Sequence, residues 1–250
     1  THREAAPVIG PPTIQDALDA FIANQDVMPN SRKVYRQNLK QFFTWVDLKD
    51  YDIKSLTRVQ LIEYKEELLQ AGKSSLTVSS YISSVRRFYE WAEANRFSPN
   101  IAKGVKSPRK QQQFKKQPLG LDQVKTLLNA AKTTPGGDLK AVRNYAILNL
   151  MVMTAMRTIE VVRANVEDIG YMQGTRVLHI HGKGRVEKDR FVILDDDAYF
   201  PILDYLNRRG DKTGPLFTST SNNNRGKRLT TKTISELSKQ TFRRIGIDTP

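Results

Sequence analysis

The stretch Thr154-Ala155-Met156-Arg157-Thr158-Ile159-Glu160-Val161 decides how the second half of this chain is read. Before it, the residues from Tyr145 to Met153 are nearly all apolar, which predicts a buried helix over Leu139 to Thr154. Arg157 falls where that helix ends and the next begins. A cation so near a core is costly unless it meets a partner. Its planar guanidinium can hold two phosphate oxygens as a fork. Glu160, one helical turn later, can orient it. An internal Arg157–Glu160 ion pair without any ligand fits the spacing equally well.

Outward from that box, Arg176 to His181 and Lys188 to Leu194 are rich in β-branched and aromatic residues and read as two strands. Gly182, Lys183, Gly184 and Arg185 form the turn of this hairpin, and Tyr171 falls in a turn-like stretch before it. On residue type alone Lys183 is a solvated turn residue between glycines that supply positive φ. His179 and His181 alternate on one strand, but a metal site there lacks further ligands. Helices are expected over Leu121 to Ala131, Asp196 to Asn207 and Thr230 to Ile245.

The first hundred residues read as four helices able to bury one another as a bundle. Thr13 caps the first, with Ile14, Ala17, Leu18, Phe21 and Ile22 on one face. Asn30 or Ser31 caps the second, whose stripe is Val34, Tyr35, Leu39, Phe42, Phe43 and Val46. Thr57 opens the third, carrying Leu61, Ile62, Leu68 and Leu69, and Gly72 ends it. Ser74 or Ser75 opens the fourth, with Val78, Tyr81, Ile82, Val85, Phe88 and Tyr89 inward. The expected division is therefore a helical domain over 1–102, a basic linker over 103–117 and a second domain over 118–250. The linker holds Lys103, Lys106, Arg109, Lys110, Lys115 and Lys116 without an acid, as a strap tracking a polyanion would.

Charge narrows the partner. Forty Lys and Arg against 26 Asp and Glu give a net charge of +14, which favours nucleic acid over other ligands. No apolar run approaches the roughly 20 residues of a spanning helix, so no membrane partner is expected. With no Cys, disulfide frameworks and thiolate metal sites are excluded, which fits a cytoplasmic location. Gly72-Lys73-Ser74 ends like a phosphate-binding loop, but the required leading Gly is Glu67 and the loop follows a helix.

The ordered set of helical bundle, basic linker, arginine box and lysine hairpin resembles the tyrosine recombinases of the phage-integrase family. Thr154, Arg157, Glu160 and Val161 match that family's T-G-x-R-x-x-E-[LIV] box, with Ala155 where Gly is usual. Gly182, Lys183, Gly184, Arg190, Val192 and Leu194 resemble its catalytic hairpin, with looser spacing after the turn. Ser31, Arg32 and Tyr35, then Ser75, Leu76, Thr77 and Val78, look like its core-binding domain. The fold implied is mainly α with a small sheet or hairpin: a four-helix core-binding domain followed by an incomplete catalytic domain.

By that resemblance Arg157 clamps the phosphate, Lys183 is the general acid and Glu160 supports Arg157. Arg32, Lys33, Arg36, Lys73, Thr77, Arg86, Arg87, Lys106, Arg109, Lys110, Lys115, Lys116, Arg185, Arg225, Lys227, Arg228 and Lys232 are the expected DNA contacts. No cofactor is expected, and the partners are duplex DNA and further recombinase subunits. The family's H-x-x-R box and nucleophilic Tyr are not found: neither His179 nor His181 has an Arg three residues on, and no Tyr comes after Tyr205. The chain is thus expected to stop within the catalytic domain and to bind DNA without cleaving it. The alternative is a non-catalytic DNA-binding protein on the same fold. The coding frame beyond Pro250 discriminates the two: a further H-x-x-R and Tyr favour the enzyme, and an immediate stop favours the binder.

Overall fold

The computed structural model describes residues 13–53, 55–109, 118–132, 138–181, 188 and 190–247. The chain divides into two compact units, Thr1–Lys115 and Lys116–Pro250.

The first unit is helical: α1 (Ile14–Ala23), α2 (Pro29–Leu48), α3 (Arg58–Gln70) and α4 (Ser75–Ala94). Thr13, Thr57 and Ser74 cap α1, α3 and α4 through side-chain oxygens that accept helix-start N–H groups. The start of α2 differs from the expected Asn30 or Ser31 cap. It begins at Pro29, with Met28 as an N-cap that makes no side-chain bond. Proline suits a first helical position because the N–H it lacks would be unpaired there anyway. Gly72 stands at φ 74° just past α3, and the N–H groups of Gly72 and Lys73 close on the carbonyls of Leu69 and Leu68.

Aromatic rings dominate this core. The Phe42 ring lies 5.1 Å from that of Tyr64, edge on, and 5.5 Å from that of Phe43. Val34 and Ile62, expected inward, are more than a third exposed, and Asn38 and Tyr64 take buried places instead. Asn38 is satisfied there by the Ser84 hydroxyl at 2.9 Å. Ala102 and Val105 are buried in the same core, so packed chain continues past residue 102.

The second unit holds α5 (Leu121–Lys132), α6 (Leu139–Thr154), α7 (Thr158–Arg163), α8 (Asp196–Arg209) and α9 (Thr231–Arg244) around one small sheet. The sheet has three antiparallel strands in the order β1 (Ile169–Met172), β2 (Thr175–Ile180), β3 (Arg190–Ile193). The expected hairpin is therefore two thirds of a sheet, and Tyr171 lies on a strand, not in a turn. Gln173 and Gly174, both at positive φ, make the tight β1–β2 connection. Leu178 and Ile180 enter the core from one sheet face, together with Ala146, Ile147 and Leu150 of α6. No helix among the described residues is long and apolar enough to cross a membrane.

Candidate active site and nucleic-acid interface

The site starts from the way α6 ends. Ala155 adopts the left-handed conformation, φ 52°, and turns the chain sharply. Met156 is buried, which anchors the turn, and Arg157 becomes the N-cap residue of α7. Glu160, at the third helical position, reaches back. Its Oε2 accepts the Arg157 backbone N–H at 2.7 Å, and its Oε1 accepts from the Arg157 Nη1 at 2.9 Å. The Glu160 side chain is 2% exposed and that of Arg157 60%. A buried carboxylate thus fixes the root and one edge of a guanidinium whose other edge faces solvent.

A second cation shares that carboxylate. The Arg190 Nη1 lies 3.9 Å from Glu160 Oε1, and Arg190 is half exposed on β3 opposite Ile180. One buried negative charge serving two guanidinium groups leaves a local surplus of positive charge, suited to a phosphate. The β2–β3 pair carrying the Lys183 segment is therefore rooted beside Arg157. Lys183 and Arg185 themselves lie outside the described residues, as do Lys110, Lys115 and Lys116. The buried Asp168 pairs with Lys188 and accepts the Asn165 N–H at 2.9 Å.

The expected DNA contacts separate into two groups. Several already have partners within the chain. Arg36 pairs with Asp19, Arg87 with Glu90 and Lys232 with Glu236. The Arg32 Nε donates to the Gln25 carbonyl, and Arg86 donates to the Ser107 hydroxyl. Thr77 is engaged with Ser74 at the start of α4. Arg228 donates to the carbonyls of Val162 and Ala164. Lys33, Lys73, Lys106, Arg109, Arg225 and Lys227 have no side-chain partner among the described residues.

One functional candidate escaped the sequence reading. Arg143 of α6 is 4% exposed, and burial pushes its guanidinium below the usual range. The signal in the sequence was its register: Arg143 stands four residues before Ile147 and seven before Leu150, on the apolar stripe of α6.

Comparison with known proteins identifies the family. The Phage integrase family model matches residues 118–250, and the model for the phage integrase N-terminal SAM-like domain matches 17–96. The chain belongs to the phage integrase family, the site-specific tyrosine recombinases. It is 27% identical over 225 residues to the tyrosine recombinase XerD of Bifidobacterium longum, covering 86% of this chain and 71% of that one. It is 27% identical over 197 residues to XerD of Listeria monocytogenes, covering 77% of this chain and 63% of that one. Among solved structures, the fold matches XerH site-specific recombinase bound to its palindromic difH substrate, a post-cleavage complex. There the TM-score is 0.70 at 16% identity, over 95% of this chain and 69% of that one. A lambda integrase dimer bound to a COC′ core site matches with TM-score 0.70 at 14% identity, over 95% and 65%.

Proposed function

We propose that this protein binds duplex DNA and belongs to an assembly of recombinase subunits that cuts and rejoins strands through a covalent phosphotyrosine. The observation that carries the reading is Arg157, fixed by the buried Glu160 and presented to solvent beside Arg190.

The chemistry explains why those groups are wanted. A phosphodiester repels nucleophiles through its own charge, so a fixed cation must neutralise its oxygens as charge builds. Arg157 takes that role. When a tyrosine that has released its phenolic proton to water bonds through oxygen to phosphorus, the bond from phosphorus to the 5′ oxygen breaks, and that oxygen needs a proton. Lys183 donates it as general acid. The phosphotyrosine conserves the bond energy, so rejoining reverses the same step without a nucleotide or metal. The uncommitted cations hold the DNA backbone, as do Lys110, Lys115 and Lys116 of the basic segment that spans the boundary of the two units.

The nine tyrosines of this sequence end at Tyr205, which is fully buried against Phe217 and bonded to Thr218. These 250 residues are therefore expected to bind DNA without forming an adduct. Incubation with a nicked duplex should give no protein–DNA band that survives denaturing electrophoresis. A surviving band that disappears when one of the nine is changed to Phe would make these residues a complete enzyme.

A further inference from the structure

Arg143 raises a question that the Arg157 site does not answer. Its guanidinium is buried, yet it forms no ion pair with any described carboxylate. Its partners are neutral: the Asn144 side-chain oxygen at 2.7 and 3.2 Å, the Thr218 carbonyl at 2.9 Å and the Thr220 hydroxyl at 3.4 Å. Asp138 acts on it only through space, and its carboxylate is taken by the Ala141 N–H at 2.8 Å. Buried charges are ordinarily paired, because leaving water is expensive.

The missing counter-charge has a place to sit. Arg143 lines a cleft of about 440 Å³ together with Lys140, Lys227 and Arg228, and no residue lining that cleft is acidic. Thr230 and Thr233, at the start of the 14-residue α9, lie on the same wall. The Thr230 hydroxyl caps only the Thr233 N–H, so the first N–H groups of α9 remain as donors with the positive end of the helix behind them. Lys140 and Lys227 are exposed and have no partner among the described residues. Arg228 is held by backbone carbonyls and contributes charge alone. Four cations, hydroxyls and a helix start around one open space are the donor set of a tetrahedral oxyanion.

We infer that this cleft seats a phosphate group, supplied by the backbone of bound duplex, between Arg143, Lys140, Lys227 and the start of α9. The inference rests on the DNA-binding reading and adds to it a second phosphate seat, built on other residues than Arg157. Such a seat would fix the register of the second unit on the duplex without reading bases.

The test uses inorganic phosphate as probe and the whole chain as receptor. Calorimetry should show saturable phosphate binding, weakened about tenfold or more by the double change Lys140→Gln and Lys227→Gln. Both residues are exposed and unpartnered, so the variant should fold normally. Arg143→Lys, which keeps the charge but loses the bonds to Asn144 and Thr218 that fix it beside the cleft, should weaken binding in the same direction. Lys40→Gln with Arg96→Gln, exposed in the first unit and outside the named DNA contacts, removes equal charge and should leave phosphate binding unchanged. Saturating duplex should displace the phosphate. Absence of saturable binding, equal loss in the first-unit control, or phosphate retained beside saturating duplex would each overturn the inference. If the chain binds duplex normally and one of these results appears, only the phosphate seat falls. If it binds no duplex at all, the DNA-binding reading falls with it.

Discussion

The two units differ in what they bury. The first closes over aromatic rings, and its buried polar side chains, Asn38 and Ser84, are neutral and bonded to each other. The second buries Arg143, Glu160 and Asp168. Among the described residues every buried charge therefore lies in the second unit, where the Arg157 box and the hairpin stand. Burial of charge is expensive, and a fold retains it where a group must be held in one orientation. Among the described residues the first unit buries neutral groups alone, and the second also buries charge, including the Glu160 carboxylate that bonds the Arg157 guanidinium.

That contrast can be broken most easily through the cores. Phe42→Ala should cost the first unit about 3–5 kcal/mol, the usual loss for a buried ring. Limited proteolysis should then open residues before 110 while residues after 118 stay resistant. Loss of both regions together would contradict separate cores. Glu160→Ala should cost the second unit about 2 kcal/mol, because it removes a cap and a charge-assisted bond while the exposed Arg157 regains water. Duplex binding should weaken as well, since Arg157 loses its aim. Unchanged binding would mean that Glu160 serves the helix alone. The smallest effect is expected at Ala155. A side chain in the left-handed region costs about 1–2 kcal/mol, and glycine's extra freedom when unfolded returns roughly half of that. Ala155→Gly should therefore raise the melting temperature slightly, and a fall would show that the methyl group packs usefully.

Much of the fold was legible because caps and stripes are local signals. Thr13, Thr57, Ser74 and Thr230 mark helix starts by their own side chains. Strand β1 escaped because its connection is Gln173-Gly174, which lacks the Asn or Asp that usually announces such a turn. The Arg157–Glu160 pairing was readable from spacing three residues apart. The approach of Arg190 to the same carboxylate was not, because it depends on how β3 pairs with β2. The cations were the least legible. Arg36 meets Asp19 across two helices, and Arg228 meets the carbonyl of Val162, 66 residues away. Composition counts such residues as surface charge, and only the fold shows which of them are already occupied.

The central claim is that uncommitted cations on both units, with Arg157, grip a DNA backbone. Binding of a duplex across a salt series tests it most directly. Each phosphate neutralised contributes about −0.9 to the slope of log K against log salt, so the six uncommitted cations together with Arg157, Lys110, Lys115 and Lys116 predict a slope of about −9. The triple change of Lys110, Lys115 and Lys116 to Gln should make that slope shallower by up to about three units, equally for all duplex sequences. A flat response to salt would contradict the account.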